Sequence, residues 1–207
     1  DFVFKSVFGV SENIDILQAF LSSVLYVPAH KYGYLTIDDP HLLKNSVDSK
    51  SSVLDVRLHT QSGTIIHIEI QRQLFVGFNA RTIFAQSKLV TEQLNSGRKW
   101  EEIHQVKTIL ITDALYISSN DLYHNQFRYR TAEGIELSDL VEINCLDLSK
   151  IPNDDGTPLW SWMRYIDSNE ESVLTMLATK SPELNKAVAL LREFLPIKMF
   201  ASSMNAI

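Results

Sequence analysis

A chain of 207 residues, 45% hydrophobic and 21% charged, has enough apolar material for one sizeable core with a small appended lobe, and it is not a disordered chain. No apolar run approaches the roughly 18 residues needed to cross a bilayer, no signal peptide is legible in a chain that opens at Asp1, and the lone Cys145 excludes an intrachain disulfide or a zinc site built on thiolates, which fits a reducing cytoplasm. A net charge of −6 argues against a nucleic-acid partner, yet residues 72–107 hold six basic residues against three acids, a local +3 within a chain whose remainder is −9.

Residues 2–8 are rich in aromatics. Residues 14–25 carry Ile14, Leu17, Phe20, Leu21, Val24 and Leu25 at helical spacing, behind a helix start at Ser11, Glu12 and Asp15. Val27 and Pro28 end that helix, and residues 28–49 read as a polar connection with one short strand.

A β-hairpin follows. Its first arm is Val53-Leu54-Asp55-Val56-Arg57-Leu58-His59, its turn holds Gln61-Ser62-Gly63, and its second arm runs Thr64-Ile65-Ile66-His67-Ile68-Glu69-Ile70-Gln71. Gly63 suits the left-handed position that closes a three-residue loop. That loop opposes Thr60 to Thr64, so paired residues have numbers summing to 124. Asp55 then faces Glu69, Arg57 faces His67 and Val53 faces Gln71, while the other side pairs Leu54 with Ile70, Val56 with Ile68 and Leu58 with Ile66, all apolar. A two-residue loop would slip the register by one and set Asp55 against an isoleucine. Opposed carboxylates stand with Cβ atoms roughly 4.5–5.5 Å apart and repel. Either a divalent cation with a taste for hard oxygen ligands relieves them, or Arg57 and His67 neutralise them on an exposed face.

Gly77 ends the hairpin, and Asn79 caps a helix expected to run through Asn95, with Gly97 as its stop. Ala80, Ile83, Phe84, Val90 and Leu94 are its expected core side; Arg81, Lys88 and Glu92 share another side, which an ordinary solvated face would also explain. Residues 106–117 read as a buried strand, and 126–132 and 140–148 as two more around Glu133-Gly134. A turn-rich break at Pro152–Gly156 precedes helices over 158–168, 170–178 and 182–194, in which Trp160, Trp162 and Met163 pack rather than bind. The order predicts a mixed α/β core over 1–150 and a helical C-terminal extension over 151–207 packed on it.

That order, with an acid in one hairpin strand and Glu-x-Gln in the next, resembles the PD-(D/E)XK nuclease superfamily, and more narrowly the Rpn, or recombination-promoting nuclease, family of transposases. The matching pieces are Asp1-Phe2-Val3-Phe4-Lys5 with Phe8-Gly9, Lys50 through Asp55, Ile68-Glu69-Ile70-Gln71, Arg81, Gln93 through Gly97, the strand at 106–117 and the tail from Trp160 to Leu191. The resemblance spans nearly the whole chain. It implies a nuclease-like mixed sheet flanked by helices, and a DNA endonuclease that uses Mg²⁺ (or Mn²⁺ or Ca²⁺) in recombination or a mobile element. It also implies metal ligation by Asp55, Glu69 and the backbone carbonyl of Ile70. Gln71 stands where the superfamily usually has a catalytic lysine, as in the Rpn-like branch, so Lys88 or Arg81 on the following helix is expected to supply the missing charge. Lys50, Arg81 and Lys88 are the expected DNA contacts, and a homo-oligomer is compatible with this reading. Ala85 in place of an aromatic and Ile70 in place of a methionine depart from the family pattern, at positions whose side chains do no chemistry. Asp1 matches a first-helix acid that either joins the metal site or caps its helix, and Lys50 either contacts DNA or flanks its strand.

Two other classes compete with a nuclease. One is a nuclease fold that binds DNA or a protein without turnover, a reading the uncharged Gln71 keeps open. The other is an unrelated acidic α/β domain whose opposed acids pair with Arg57 and His67.

Overall fold

The described residues build one six-stranded mixed sheet from β1 (Leu35–Ile37), β2 (Val56–Thr60), β3 (Ile65–Gln71), β4 (Val106–Thr112), β5 (His124–Arg130) and β6 (Glu136–Asp147), in the order β1-β2-β3-β4-β6-β5. The computed structural model describes residues 2–38, 56–94, 99–113 and 117–204, with the side chains of 4–194 within those spans. The hairpin register is the expected one: Val56 pairs with Ile68, Arg57 with His67 and Leu58 with Ile66. Thr60 N donates to Thr64 O at 3.0 Å, and Gly63 takes φ 88° at the loop's end. The Asp55–Glu69, Leu54–Ile70 and Val53–Gln71 pairings lie outside the described residues.

Strand β3 runs parallel to β4, and β4 parallel to β6, so the chain must cross over between β3 and β4; α3 (Phe78–Thr91) makes that crossover. It packs on the sheet side that carries Ile65, His67, Glu69 and Gln71: Leu89 meets Ile65 and Val106, and Phe78 meets Leu110 and Cys145. The helix starts two residues earlier than expected, because Gly77 at φ 87° makes the reversal and Asn79 is already inside the first turn. It ends at Thr91 in turn-type bonds, and Gly97 lies outside the described residues.

The buried face of α3 differs from the expected one. Phe78, Thr82, Gln86 and Leu89 face the sheet, whereas Ile83 is 56% and Phe84 64% exposed, and Ala80 is exposed too. Polar residues can hold the buried stripe because each finds a backbone acceptor: Thr82 Oγ1 donates to Phe78 O at 3.1 Å and Gln86 Nε2 to Glu142 O at 2.9 Å. Glu142 lies where the β5–β6 register begins to shift, so a side-chain donor meets a strand carbonyl beside that irregularity.

The chain divides into two compact units, Asp1–Ala29 with Asn153–Ile207, and His30–Pro152. The turn-rich break after Pro152 thus falls at a unit boundary, while the first 29 residues group with the C-terminal helices rather than with the sheet. That first unit comprises α1 (Phe2–Phe8), α2 (Ile14–Leu25), α4 (Pro158–Asp167), α5 (Glu171–Ala178) and α6 (Pro182–Met204). Phe8 stacks on Phe4 at 4.4 Å and meets Phe20, Trp162 and Tyr165 edge-on or tilted, a cluster that ties the N-terminal helices to α4. Trp160, Trp162 and Met163 are buried, as expected of packing residues. Thr157 caps α4 through Trp160 N at 3.0 Å, ahead of Pro158 in the first turn. No helix among the described residues is long and apolar enough to cross a membrane.

Candidate active site

The polar side of β3 and the first turns of α3 meet over one acid. Alternation puts Glu69 on the helix-covered side, where its side chain is 2% exposed. An isolated carboxylate there would lose its hydration with nothing in return, so it needs a cation or donors. Arg81 supplies one: its Nη1 lies 2.8 Å from Glu69 Oε1, an ion pair without the alignment of a full hydrogen bond. Arg81 reaches it because the six-residue connection from β3 closes at Gly77, and Arg81 follows one turn later, its N–H donating to Gly77 O at 3.0 Å. The guanidinium also stands 5.8 Å from the ring centre of Phe75, and the side chain is 29% exposed, so its far side is open to water.

Lys88, seven residues along α3, makes its ion pair with Glu92 at 3.9 Å, so of the two basic residues expected near the acids it is Arg81 that touches Glu69. Glu92 also accepts from Arg57 Nη1 at 3.2 Å. The other end of Arg57 pairs with Asp38, which His59 Nε2 approaches at 3.1 Å. Burial works to raise the Asp38 carboxyl, but hydrogen bonds from His59 and Arg57 outweigh it and hold Asp38 below the ordinary carboxylate range. Among the described residues Arg57 is therefore engaged by Asp38 and Glu92, and the cation on Glu69 comes from α3. Nothing in the sequence ties Asp38, in a polar connection, to Arg57; only the pairing of β1 with β2 brings them together.

Gln71, the last residue of β3, is half-buried and donates from Nε2 to Gln73 O at 2.6 Å. Ile70 points its side chain to the opposite side, 5% exposed, and offers only its backbone to this one. Asp55 and Lys50 lie outside the described residues, as does Asp1. Among the described residues no three His, Cys, Asp or Glu side chains converge as a closed metal cage would require. The carboxylate of Glu69, two residues before the end of β3, nevertheless offers hard oxygen ligands of the kind a divalent cation takes, and Arg81 now holds a positive charge against it.

A family model described as PD-(D/E)XK nuclease family transposase matches residues 1–197. No curated protein and no solved structure matches the chain.

Proposed function

We propose that this chain, which belongs to the family of PD-(D/E)XK nuclease transposases, is a metal-dependent DNA endonuclease that hydrolyses phosphodiester bonds in recombination or in the movement of a mobile element. The observation that carries the reading is the buried Glu69, held at a strand end with a cation already against it, in a chain matched almost throughout by a nuclease family. Asp55, Glu69 and the backbone carbonyl of Ile70 would hold Mg²⁺, or Mn²⁺ or Ca²⁺, which supplies Lewis acidity at the scissile phosphate and a water acidic enough to attack. The chain's own side chains do the rest. Gln71, its Nε2 donating to Gln73 O, offers Oε1 as an acceptor that orients the attacking water. Arg81, open on one side, meets the phosphate with a fork of donors. Lys88, further along α3, and Lys50 contact the DNA backbone without reading sequence.

The test is cleavage of supercoiled plasmid in Mg²⁺ or Mn²⁺ by wild type, Asp55→Ala, Glu69→Gln and Gln71→Ala. Both acid substitutions should abolish cleavage, Gln71→Ala should lower it less, and Gln71→Lys should raise it by restoring a positive charge beside the water. Cleavage that survives a chelator and both acid substitutions would place the activity elsewhere. Gln71 also favours a second reading, a nuclease fold that holds DNA without turnover, because its amide is uncharged and bonded to its own chain. Tight DNA binding by a wild type that does not cleave would select that reading.

A further inference from the structure

Arg81 sits where it can serve two anions but not both at once. Its guanidinium lies against Glu69 Oε1 at 2.8 Å, inside a site where the acid is 2% exposed. A divalent cation ligated by the same carboxylate would stand within a few ångströms of that guanidinium, and two positive groups so close in a partly dry site repel. The structure also offers Arg81 somewhere to go: the ring of Phe75, 49% exposed in the connection between β3 and α3, is already 5.8 Å from the guanidinium carbon. An arginine moved onto an exposed aromatic face keeps its charge, loses little solvation and turns its donors outward.

We propose that Arg81 is an exchangeable cation: in the metal-free protein it occupies Glu69 and keeps the buried acid neutralised, and on metal binding it yields the carboxylate, shifts toward Phe75 and becomes available to a phosphate. The inference rests on the metal reading above and adds to it a competition between a residue of the chain and the ion. Metal affinity is thereby held down until both metal and phosphate are present, since the phosphate gives the displaced guanidinium a new anion. Metal and DNA then help each other bind, as linkage requires of two ligands that favour the same state.

Calorimetric titration of the full chain with Mn²⁺ tests this without reference to activity. Arg81→Gln, which removes the competitor, should bind Mn²⁺ about tenfold more tightly than wild type, the order expected from relieving a like-charge contact at a few ångströms in a partly solvated site. Arg81→Lys keeps the charge and should stay closer to wild type than to Arg81→Gln. On the wild-type protein itself, the side-chain Nε–H resonance of Arg81, identified by its loss in Arg81→Lys, should move during titration with Mg²⁺. Glu69→Gln serves as the control that must lose the ion. Equal or weaker Mn²⁺ binding by Arg81→Gln, in a protein whose wild type binds the ion through Glu69, overturns the exchange and leaves the metal site standing. An Arg81 resonance that stays still through a saturating Mg²⁺ titration overturns it equally, even where Arg81→Gln does not fold. Absence of Glu69-dependent Mn²⁺ binding in both wild type and Arg81→Gln overturns the metal reading itself, and the exchange with it.

Discussion

Removing either member of the Glu69–Arg81 pair should cost stability, but by unequal amounts. With charge centres about 4 Å apart and an effective dielectric near 20, the pair attracts by about 4 kcal/mol before desolvation is subtracted. The two side chains are desolvated very differently, at 2% and 29% exposed. Arg81→Gln removes a positive charge that lies 2.8 Å from a carboxylate that water does not reach, and removing one partner of a buried pair costs ~3 kcal/mol, the low end of the usual range because the arginine is partly open. Glu69→Gln leaves a guanidinium that water already touches and puts a neutral amide in the dry position, a loss of ~1 kcal/mol. Opposed acids alone would have made Glu69→Gln stabilising; a cation already on Glu69 reverses that sign. The assay is urea unfolding in a chelator. At a slope of about 2 kcal/mol per molar, the midpoint should fall by ~1.5 M for Arg81→Gln and by ~0.5 M for Glu69→Gln. The double variant should resemble Glu69→Gln alone, since the buried charge is gone from both. Equal shifts, or a larger one for Glu69→Gln, would refute the reasoning.

Two further outcomes follow from the same part of the sheet. Gly63→Ala should lower the melting temperature by ~5 °C, because φ 88° is strained for alanine and its Cβ would lie 2.5 Å from the His104 ring; an unchanged melting temperature would mean that the loop relaxes freely. Asp38→Asn should destabilise at neutral pH and converge on wild type in acid: a carboxyl lowered in the folded state contributes fully above its unfolded value of about 3.9, and that contribution is lost as pH falls through the lower folded value. Melting curves at pH 7 and pH 3 check this, and a difference of the same size at both would remove Asp38 from the ion-pair network.

The hairpin and most helices were legible in the sequence because short-range rules control them. Loop length and period two set the pairing of Val56 with Ile68 and Leu58 with Ile66, and apolar spacing of 3.6 marks out Ile14–Leu25 and the C-terminal helices. The acid at Glu69 stood out for the same reason, since alternation alone puts it on the side of the hairpin opposite Ile66, Ile68 and Ile70. What faces what across the fold was decided only in three dimensions. Ile83 and Phe84 read as core but face outward, while Thr82 and Gln86 are buried, because the seat of α3 depends on a carbonyl of Glu142, 56 residues beyond Gln86 along the chain. The choice of Arg81 over Lys88 as partner to Glu69, and of Asp38 and Glu92 as partners to Arg57, was likewise made by where α3 packs on the sheet and by the pairing of β1 with β2. A sequence carries its local periodicities in every window of ten residues, whereas the match between two charges brought together by packing exists only once the elements have docked.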